Sequence, residues 1–353
     1  MRRRTLLLLG TAAAVSVGAV VLLTPKGIDQ RGLPPAEGGM AFEGLATRLQ
    51  AAARIEIRKH DASLVLLRQG EAWVLPEKGG YPVRPEKVRE LLVGLTELRL
   101  TEARTTDPSQ FERLGVDDPM RPGSTAVLLR VLDGEGNALV ELITGRRRVR
   151  TGGNVPESIY VRRPTENQAW LAEGRLPVDA DPQLWLDRDI ANLQHDRIRR
   201  VVVHRPGEPE LVLTRGEEPE AKLRLVEPPD MPPVDDVALD EVGRAFEFLT
   251  FLDVKPAAEI PGEMLGEARF ELTEGLAITV LPNKDAETLW IRLSAAGDGP
   301  EATRLEQRWA GWAYQVGVWK EKAFLPRPGD LAARAPAAEA AEPPSPASPG
   351  TPR

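Results

Sequence analysis

The apolar positions between residues 55 and 76 fall into three short segments with the character of β-strands. The segments IEIRK, SLVLLR and AWVLP hold β-branched or aromatic residues in alternating or continuous apolar order, and turn residues such as Gly70 separate them. A period of two places every second side chain on the same face of a sheet. The pattern therefore predicts three strands at the start of the folded region.

The apolar positions that follow have a helical period. Pro85 stands where a first helical turn tolerates proline. One helical face then carries Val88, Leu91, Leu92, Leu95 and Leu98. Farther along, AVLLRVLDGEGNALVELITG predicts a hairpin with DGEGN at its tip, and IYVRR with AWLAE predicts another. Together these segments predict an antiparallel sheet with one packed helix.

The same series of patterns occurs twice. Residues 64–68, LVLLR, recur as LVLTR at residues 211–215, an offset of 147. Matches at offsets of 150 to 154 pair Trp73 with Leu223, Pro82 with Pro233, Val88 with Leu239, Val127 with Ile278, Leu129 with Val280, Val140 with Ile291, Tyr160 with Tyr314 and Trp170 with Phe324. A second helix is expected after Asp235 and Asp236, either of which can cap it. The preserved apolar phase predicts a duplication, although such degenerate patterns also align by chance.

The predicted fold is α+β, with two tandem related units after an N-terminal transmembrane helix. The units span residues 54–180 and 198–330, and residues 181–197 form a short helical connector that docks Trp185 and Leu186 into the junction. Residues 26–53, rich in glycine and proline, predict a linker. Residues 331–353, rich in alanine and proline, predict a disordered tail.

The first 25 residues predict a location rather than an activity. Three arginines, Arg2 to Arg4, precede an uncharged segment from Thr5 to Thr24. Twenty helical residues span roughly 30 Å, the thickness of a bilayer's hydrocarbon core, and the arginines favour the cytoplasmic side. We expect a single-pass anchor in the inner (cytoplasmic) membrane, with the body in the periplasm or outside. The alternatives are a signal peptide cleaved near Ala12–Ala14, a twin-arginine export signal and a buried core helix.

Composition narrows the possible chemistry. The chain of 353 residues has no cysteine, which excludes disulfides, thiol catalysis and cysteine-ligated zinc. Its formal charge of −7 argues against nucleic acid or anionic lipid as a partner. We find no G-x-S-x-G, S-x-x-K, P-loop or G-x-G-x-x-G motif. The sequence therefore assigns no catalytic, cofactor-binding or metal-binding residue, and we expect a non-enzymatic protein without cofactors.

Three groups of polar residues have both a functional and a structural interpretation. The histidines, His60, His195 and His204, lack metal-ligand spacing and are expected to be structural or surface residues. Two acidic groups have the oxygen atoms that a bound cation needs, and a cation site is one interpretation of each. These groups are Asp133, Glu135 and Asn137 at a hairpin tip, and Asp179, Asp181, Asp187 and Asp189 around the connector. Turn formation and helix capping are the interpretations that we favour.

Basic and aromatic clusters are similarly ambiguous. The basic patch consists of Arg146, Arg147, Arg148, Arg150, Arg162 and Arg163. It suits an acidic partner or a lipid head group, but a solvated, charge-protected hairpin edge is favoured. The segment RWAGWAYQVGVW holds Trp309, Trp312 and Trp319. It suits a sugar-stacking platform, but a core strand is favoured because Tyr314, Val316 and Val318 alternate.

The order of several segments resembles a bacterial family known as domain of unknown function 4340. The segments are the N-terminal anchor, AWVLP with Tyr81-Pro82-Val83, LLVGLTEL, FERLGVDDP, Leu142-Ile143-Thr144-Gly145, Ile159-Tyr160-Val161 and Trp185-Leu186-Asp187-Arg188. The resemblance covers about residues 54 to 330. It implies a membrane-tethered envelope protein, often encoded beside ABC-type transport systems of the gliding-associated kind. The resemblance supplies no catalytic residue.

These observations favour a membrane-tethered extracytoplasmic accessory or scaffold protein, and the family resemblance implies an association with an ABC-type transport system. Its expected partners are the membrane, through the N-terminal helix, and a protein of a membrane complex, with no nucleic acid. An envelope hydrolase or a glycan-binding protein that uses the connector acids or the tryptophan-rich segment is the alternative. A self-associating structural protein is a third possibility.

Overall fold

The chain folds into a mixed α+β structure dominated by antiparallel sheets. A computed structural model describes residues 38–148, 157–218, 221–231 and 233–333. Every strand pairing in it is antiparallel, and the strands form two large sheets and one two-stranded ribbon. The α+β class predicted from sequence is confirmed.

The first sheet contains nine strands from residues 52–173. These are β1 (Ala52–Lys59), β2 (Ala62–Gln69), β3 (Ala72–Leu75), β4 (Tyr81–Pro82), β5 (Arg99–Thr105), β6 (Val127–Asp133), β7 (Ala138–Arg148), β8 (Ser158–Arg162) and β9 (Ala169–Glu173). Their order is β4-β3-β2-β1-β6-β7-β8-β9-β5. The three predicted opening strands and both predicted hairpins are confirmed. After this sheet, β10 (Asp189–Ala191) pairs with β14 (Leu249–Thr250).

The second sheet lies between residues 198 and 316. Its strands are β11 (Ile198–His204), β12 (Leu211–Arg215), β13 (Leu223–Glu227), β15 (Asp253–Pro256), β16 (Glu263–Met264), β17 (Glu267–Leu272), β18 (Ala277–Asp285), β19 (Thr288–Ala296) and β20 (Trp312–Val316). Their order is β13-β12-β11-β17-β18-β19-β20-β15, and β16 pairs with β18. When β4 and β16 are left out, each sheet has eight strands. Numbered in chain order, these strands are arranged side by side in the same order in both sheets.

Strand register shows which residues of the two sheets are equivalent. Ile55 of β1 lies opposite Leu66 and Val131, and Val201 of β11 lies opposite Leu213 and Phe270. All six side chains are fully buried. The predicted equivalence of Leu66 and Leu213 agrees with this register.

The later sequence matches are displaced by one strand. Val131 of β6 corresponds to Phe270 of β17, and through the next pairing Val140 of β7 corresponds to Ile278 of β18. The sequence matched Ile278 with Val127 instead. The sequence offset between equivalent residues falls after β5, because the connection from β5 to β6 is about twice as long as the connection from β15 to β17. The sequence match did not show this change, because neighbouring hairpin strands have similar apolar patterns.

The described part of the chain contains seven α-helices between or beside the strands. They are α1 (Leu45–Arg48), α2 (Pro85–Glu97), α3 (Phe111–Leu114), α4 (Asp236–Gly243), α5 (Pro300–Trp309), α6 (Lys320–Phe324) and α7 (Pro328–Leu331). The predicted helices α2 and α4 are confirmed, and the Asp235 carboxylate accepts the Val237 N–H at the start of α4. The prediction of one packed helix per unit is wrong for the second unit, because α5, in addition to α4, packs there against β19. Helix α5 lies between β19 and β20 and has no counterpart between β8 and β9.

Both predicted boundaries of the folded body require correction. Residues from Gly38 belong to the body rather than to a linker, since Ala41 and Leu45 are buried and the Ala41 N–H donates to the Leu98 carbonyl at 2.7 Å. At the other end, Leu331 is buried and the Ala333 N–H donates to the Pro233 carbonyl. The predicted anchor and the rest of the predicted tail lie outside the described residues. Within those residues, no helix combines the length and apolar character needed to cross a bilayer.

The connector between the sheets is mostly extended. Two 3₁₀ turns, Pro182–Leu184 before β10 and His195–Arg197 after it, are the helical part of residues 181–197. Trp185 and Leu186 are buried, as predicted. The Arg84 N–H donates to the Trp185 carbonyl at 2.8 Å, and Val83 bridges to Leu186. The connector is thereby fixed against the first sheet.

Tyr81 joins the cores of the two sheets. Its ring meets Trp312 at 4.9 Å, Phe251 at 5.5 Å and Tyr314 at 6.2 Å between centroids, all three edge to face. Beside it, the Lys78 ammonium group pairs with the Asp253 carboxylate at 2.7 Å. Buried residues of both sheets form one continuous apolar cluster. The sheets therefore share a core.

Candidate functional site

A cleft of about 520 Å³ opens where the two sheets meet, and we call it the junction cleft. The first sheet's side provides β3, β4 and residues 85–93 of α2, and the second provides the end of α5 and the start of β20. The lining residues are Glu71, Ala72, Trp73, Tyr81, Pro82, Val83, Pro85, Val88, Arg89, Leu92, Val93, Asp187, Gln307, Arg308 and Trp312. A cleft of this volume suits a ligand or a segment of a partner.

The wall from the first sheet is mainly apolar. Helix α2 buries Val88, Leu91 and Leu95 against the core. The apolar residues of this helix extend beyond its buried face to Leu92 and Val93, and Val93 remains 44% exposed at the cleft. Trp73 of β3 is half-buried in the same wall. An apolar surface left open beside a core is typical of a binding site rather than of a solvated helix.

The base of the cleft is a rigid aromatic group. Tyr81 and Tyr314 are buried, and burial raises the pKa of both phenols. The Tyr314 hydroxyl donates to the Arg308 carbonyl at 3.2 Å. Both phenols thus stay protonated at neutral pH, where they act as hydrogen-bond donors rather than as bases.

The wall from the second sheet is fixed to the connector by the last turn of α5. The Arg308 guanidinium pairs with the Asp187 carboxylate at 2.8 Å and also donates to the Asp189 carbonyl. The next residue, Trp309, donates its indole N–H to the Ile190 carbonyl at 3.1 Å. Both contacts of Arg308 use Nη2, and the side chain is 36% exposed. Nη1 therefore remains an unpaired donor among the residues that the structure describes.

The arrangement is suited to binding. Carbon-rich side chains and Tyr81 cover most of the surface, and Arg89 and Arg308 stand on opposite walls. Of the two carboxylates, Asp187 is neutralised by Arg308, and Glu71 is 99% exposed. The cleft thus combines apolar contact area with a few orienting polar groups, the usual composition of a ligand pocket.

Of the candidate residues named from sequence, only Asp187 and Trp312 line the junction cleft. Asp179 accepts the Asp181 N–H, and Asp181 accepts the Gln183 N–H at the start of the 3₁₀ turn, each at 2.9 Å. These contacts are the capping role that the sequence favours. Within the described ranges, no three His, Asp or Glu side chains are grouped closely enough to hold a metal ion.

The hairpin and histidine candidates have structural contacts. The Asp133 carboxylate accepts the N–H groups of Glu135 at 2.9 Å and Asn137 at 2.8 Å, which closes the turn. His195 Nδ1 lies 2.7 Å from Glu247 Oε1, and the same carboxylate oxygen accepts the His195 backbone N–H. These groups stabilise local structure, as the sequence analysis favours.

The predicted basic patch is not a continuous surface. Arg162 is buried, its Nε–H donates to the Val116 carbonyl at 2.9 Å, and its guanidinium lies 4.7 Å from the Phe111 ring centroid. Arg163 donates to the Ala41 carbonyl at 2.7 Å. The prediction of a solvated hairpin edge is thus wrong for Arg162, because its guanidinium donates hydrogen bonds to carbonyl groups of neighbouring loops. Arg150 lies outside the described residues.

The tryptophan-rich segment is divided between helix, strand and surface. Trp309 ends α5 and is fully buried, Trp312 begins β20 at the cleft, and Trp319 is 71% exposed. Val318 is also exposed, beyond the end of the strand. The predicted core strand is correct only for residues 312–316.

Sequence reasoning missed Trp73, Tyr81, Arg89 and Arg308 as members of one site. More than 200 positions separate the two arginines in the chain. The partial signal was the second apolar edge of α2, where Leu92 and Val93 extend the core stripe. Only tertiary packing brings that edge against α5.

Comparison with known proteins gives one match. The family model described as "Domain of unknown function (DUF4340)" matches residues 73–265, more than half of the chain. No curated protein and no solved structure matches. The matched range includes Trp73, Arg89 and Asp187 of the cleft and ends before α5. The chain therefore belongs to the DUF4340 family.

Proposed function

We propose that this protein is a membrane-tethered accessory or scaffold protein that holds a segment of a protein partner in the junction cleft. The junction cleft is the observation that carries the proposal. Its apolar wall on α2 stays open beside the packed face of Val88, Leu91 and Leu95, and its charged groups are few and placed on opposite sides. These are the features of a surface that a partner covers.

The proposed location rests on the sequence. The uncharged segment Thr5–Thr24 after three arginines supports an anchor in the inner membrane, with the body extracytoplasmic. The family resemblance supports a membrane complex, such as an ABC-type transport system, as the source of the partner. In this arrangement the cleft lies on a body tethered beside that complex.

A duplication accounts for the paired sheets. Eight strands occur in the same order in both sheets, and equivalent register positions such as Ile55 and Val201 are buried alike. Two separate origins would have to reproduce one strand order by chance. We propose that two related units arose from one ancestor and that the second gained α5.

The cysteine-free chain provides a direct test by site-specific crosslinking. Val93 is 44% exposed in the cleft, and Val226, on the far edge strand β13, is 47% exposed outside it. Val93→Cys and Val226→Cys place one thiol each at sites matched in residue type and exposure. A maleimide–diazirine reagent in living cells followed by mass spectrometry identifies the neighbours of each site.

The proposal expects one membrane-complex protein to be crosslinked from position 93 and absent from position 226. Adding Leu92→Arg to Val93→Cys should reduce this crosslinking, because the arginine disrupts the apolar wall. Unchanged crosslinking in the double variant would show that the cleft is not the contact surface. The same neighbours from both thiols, or none from position 93 at full thiol labelling, would refute the proposal. A body recovered from the cytoplasm would refute the location.

A saccharide is the second candidate occupant. Two half-buried indoles, Trp73 and Trp312, line the cleft, and stacking on aromatic faces is a common mode of sugar binding. Binding of envelope oligosaccharides that Trp312→Ala abolishes, with unchanged melting temperature, would favour this function over the scaffold.

A further inference from the structure

We infer that the segment bound in the junction cleft is an apolar peptide that carries a carboxylate, which Arg89 and Arg308 hold from opposite walls. The inference rests on the proposed function and names the chemistry of its partner. It is argued from the charge balance of the cleft, from the state of each guanidinium group and from the apolar lining.

Arg89 is an uncompensated cation at the cleft. It is exposed on α2, and it forms no hydrogen bond or ion pair with any residue that the structure describes. Its acidic neighbour Glu90 is held by Lys87 at 3.4 Å and by Arg175 at 3.2 Å. The one carboxylate on the same rim, Glu71, is 99% exposed and lies nearest Arg68 at 3.9 Å. The positive charge of Arg89 thus remains available to a ligand.

Arg308 supplies a second, prepositioned donor. Its pair with Asp187 and its bond to the Asp189 carbonyl both use Nη2 and fix the guanidinium in place. The side chain is 36% exposed, and Nη1 forms no hydrogen bond with any residue that the structure describes. A carboxylate has the two oxygens needed to accept from this Nη1 and from a second guanidinium.

The rest of the lining favours a peptide over a saccharide. Nine of the 15 lining residues are carbon-rich: Ala72, Trp73, Pro82, Val83, Pro85, Val88, Leu92, Val93 and Trp312. A saccharide carries hydroxyl groups around its ring, and burying them here would leave many without partners. Apolar side chains on both sides of one acidic residue match the lining and the charge.

The test is a selection from random twelve-residue peptides displayed on phage, with the purified full-length protein as bait. Selected peptides are then measured by fluorescence anisotropy against the parent and five variants. Val93→Trp fills the cleft, and Val226→Trp is its matched control. Arg89→Gln removes the free charge, and Arg48→Gln, at an exposed arginine of α1, is its control. Arg308→Lys keeps a cation for Asp187 but removes the second guanidinium donor, Nη1.

The inference expects the selected peptides to share an Asp or Glu between apolar residues. Binding should be lost in Val93→Trp, fall about tenfold in Arg89→Gln and about threefold in Arg308→Lys, and stay unchanged in both controls. Peptides that bind the cleft without an acidic residue, or with unchanged affinity for either arginine variant, would overturn the inference and leave the proposed function standing.

A different result identifies failure of the proposed function itself. Selection of no peptide, or of peptides whose binding Val93→Trp leaves intact, would show that the cleft does not hold a partner segment. Thermal melting of each variant establishes that it is folded before binding is compared. Charge-reversed Arg89→Glu provides a second measurement, since it should reject acidic peptides and accept their lysine-substituted forms.

Discussion

Replacing Tyr81 with alanine should separate the stabilities of the two halves of the molecule. The Tyr81 side chain is 5% exposed and packs edge to face on Phe251, Trp312 and Tyr314. An aromatic side chain buries about 200 Å², which at roughly 25 cal/mol per Å² amounts to an upper value of about 5 kcal/mol. Measured aromatic-to-alanine changes of about 3 to 5 kcal/mol agree with that value. We therefore expect a loss of about 4 kcal/mol.

The conservative variant Tyr81→Phe separates the ring from the hydroxyl group. It keeps the three ring contacts and removes only the buried hydroxyl group. The expected loss is about 1 kcal/mol, the usual scale for one polar group. The difference between Tyr81→Ala and Tyr81→Phe thus measures the ring packing alone.

Urea unfolding followed by tryptophan fluorescence and by circular dichroism measures both variants. Because Tyr81 joins the two cores, Tyr81→Ala should also divide a single transition into two, with the probes no longer coincident. A loss below 1 kcal/mol, or equal losses for alanine and phenylalanine, would refute the assignment of Tyr81 as the packing link between the sheets.

Three further predictions address local features. Gly94→Ala should destabilise the protein by about 1 to 3 kcal/mol in urea unfolding despite alanine's higher helix propensity, because the added methyl overlaps the carbonyl oxygen of Arg175; a more stable variant would contradict the packing. Asp235→Ala should cost about 1 kcal/mol by the same measurement through loss of the α4 cap, whereas Asp235→Asn should be nearly neutral. The hydrogen bonds from Arg197 hold the pKa of Glu301 below its usual value, so this pair stabilises the fold above the unfolded-state pKa of about 4.3 and loses that effect as pH falls through the lower folded-state pKa. Glu301→Gln should therefore cost about 1 kcal/mol at pH 7 and much less at pH 3, and a cost independent of pH would contradict the ion pair.

Local elements were predictable from sequence where one segment carries its own pattern. Pro85 and the spacing from Val88 to Leu95 predict helix α2, and the DGEGN tip predicts the β6–β7 hairpin. In these cases the residues that determine the element are neighbours in the chain.

Equivalence between strands and membership of the cleft were not predictable in the same way. The strands β6, β7 and β18 carry similar apolar patterns, so a shift by one strand preserves the match, and Val127 matches Ile278 as well as Val140 does. Arg89 and Arg308 belong to elements that acquire a common surface only through packing. The buried role of Arg162 depends similarly on the Val116 carbonyl from a distant loop.

Helix α5 makes the two halves of the molecule unequal, and that inequality separates recognition from folding. The strands that repeat between the sheets form the shared core, whereas Gln307 and Arg308 of α5 belong to a segment that one half has and the other lacks. Under the proposed function, substitutions along the open face of α5 change what the cleft accepts while leaving the repeated strand order intact. The symmetric strands then supply the stability of the fold, and an asymmetric helix supplies its specificity.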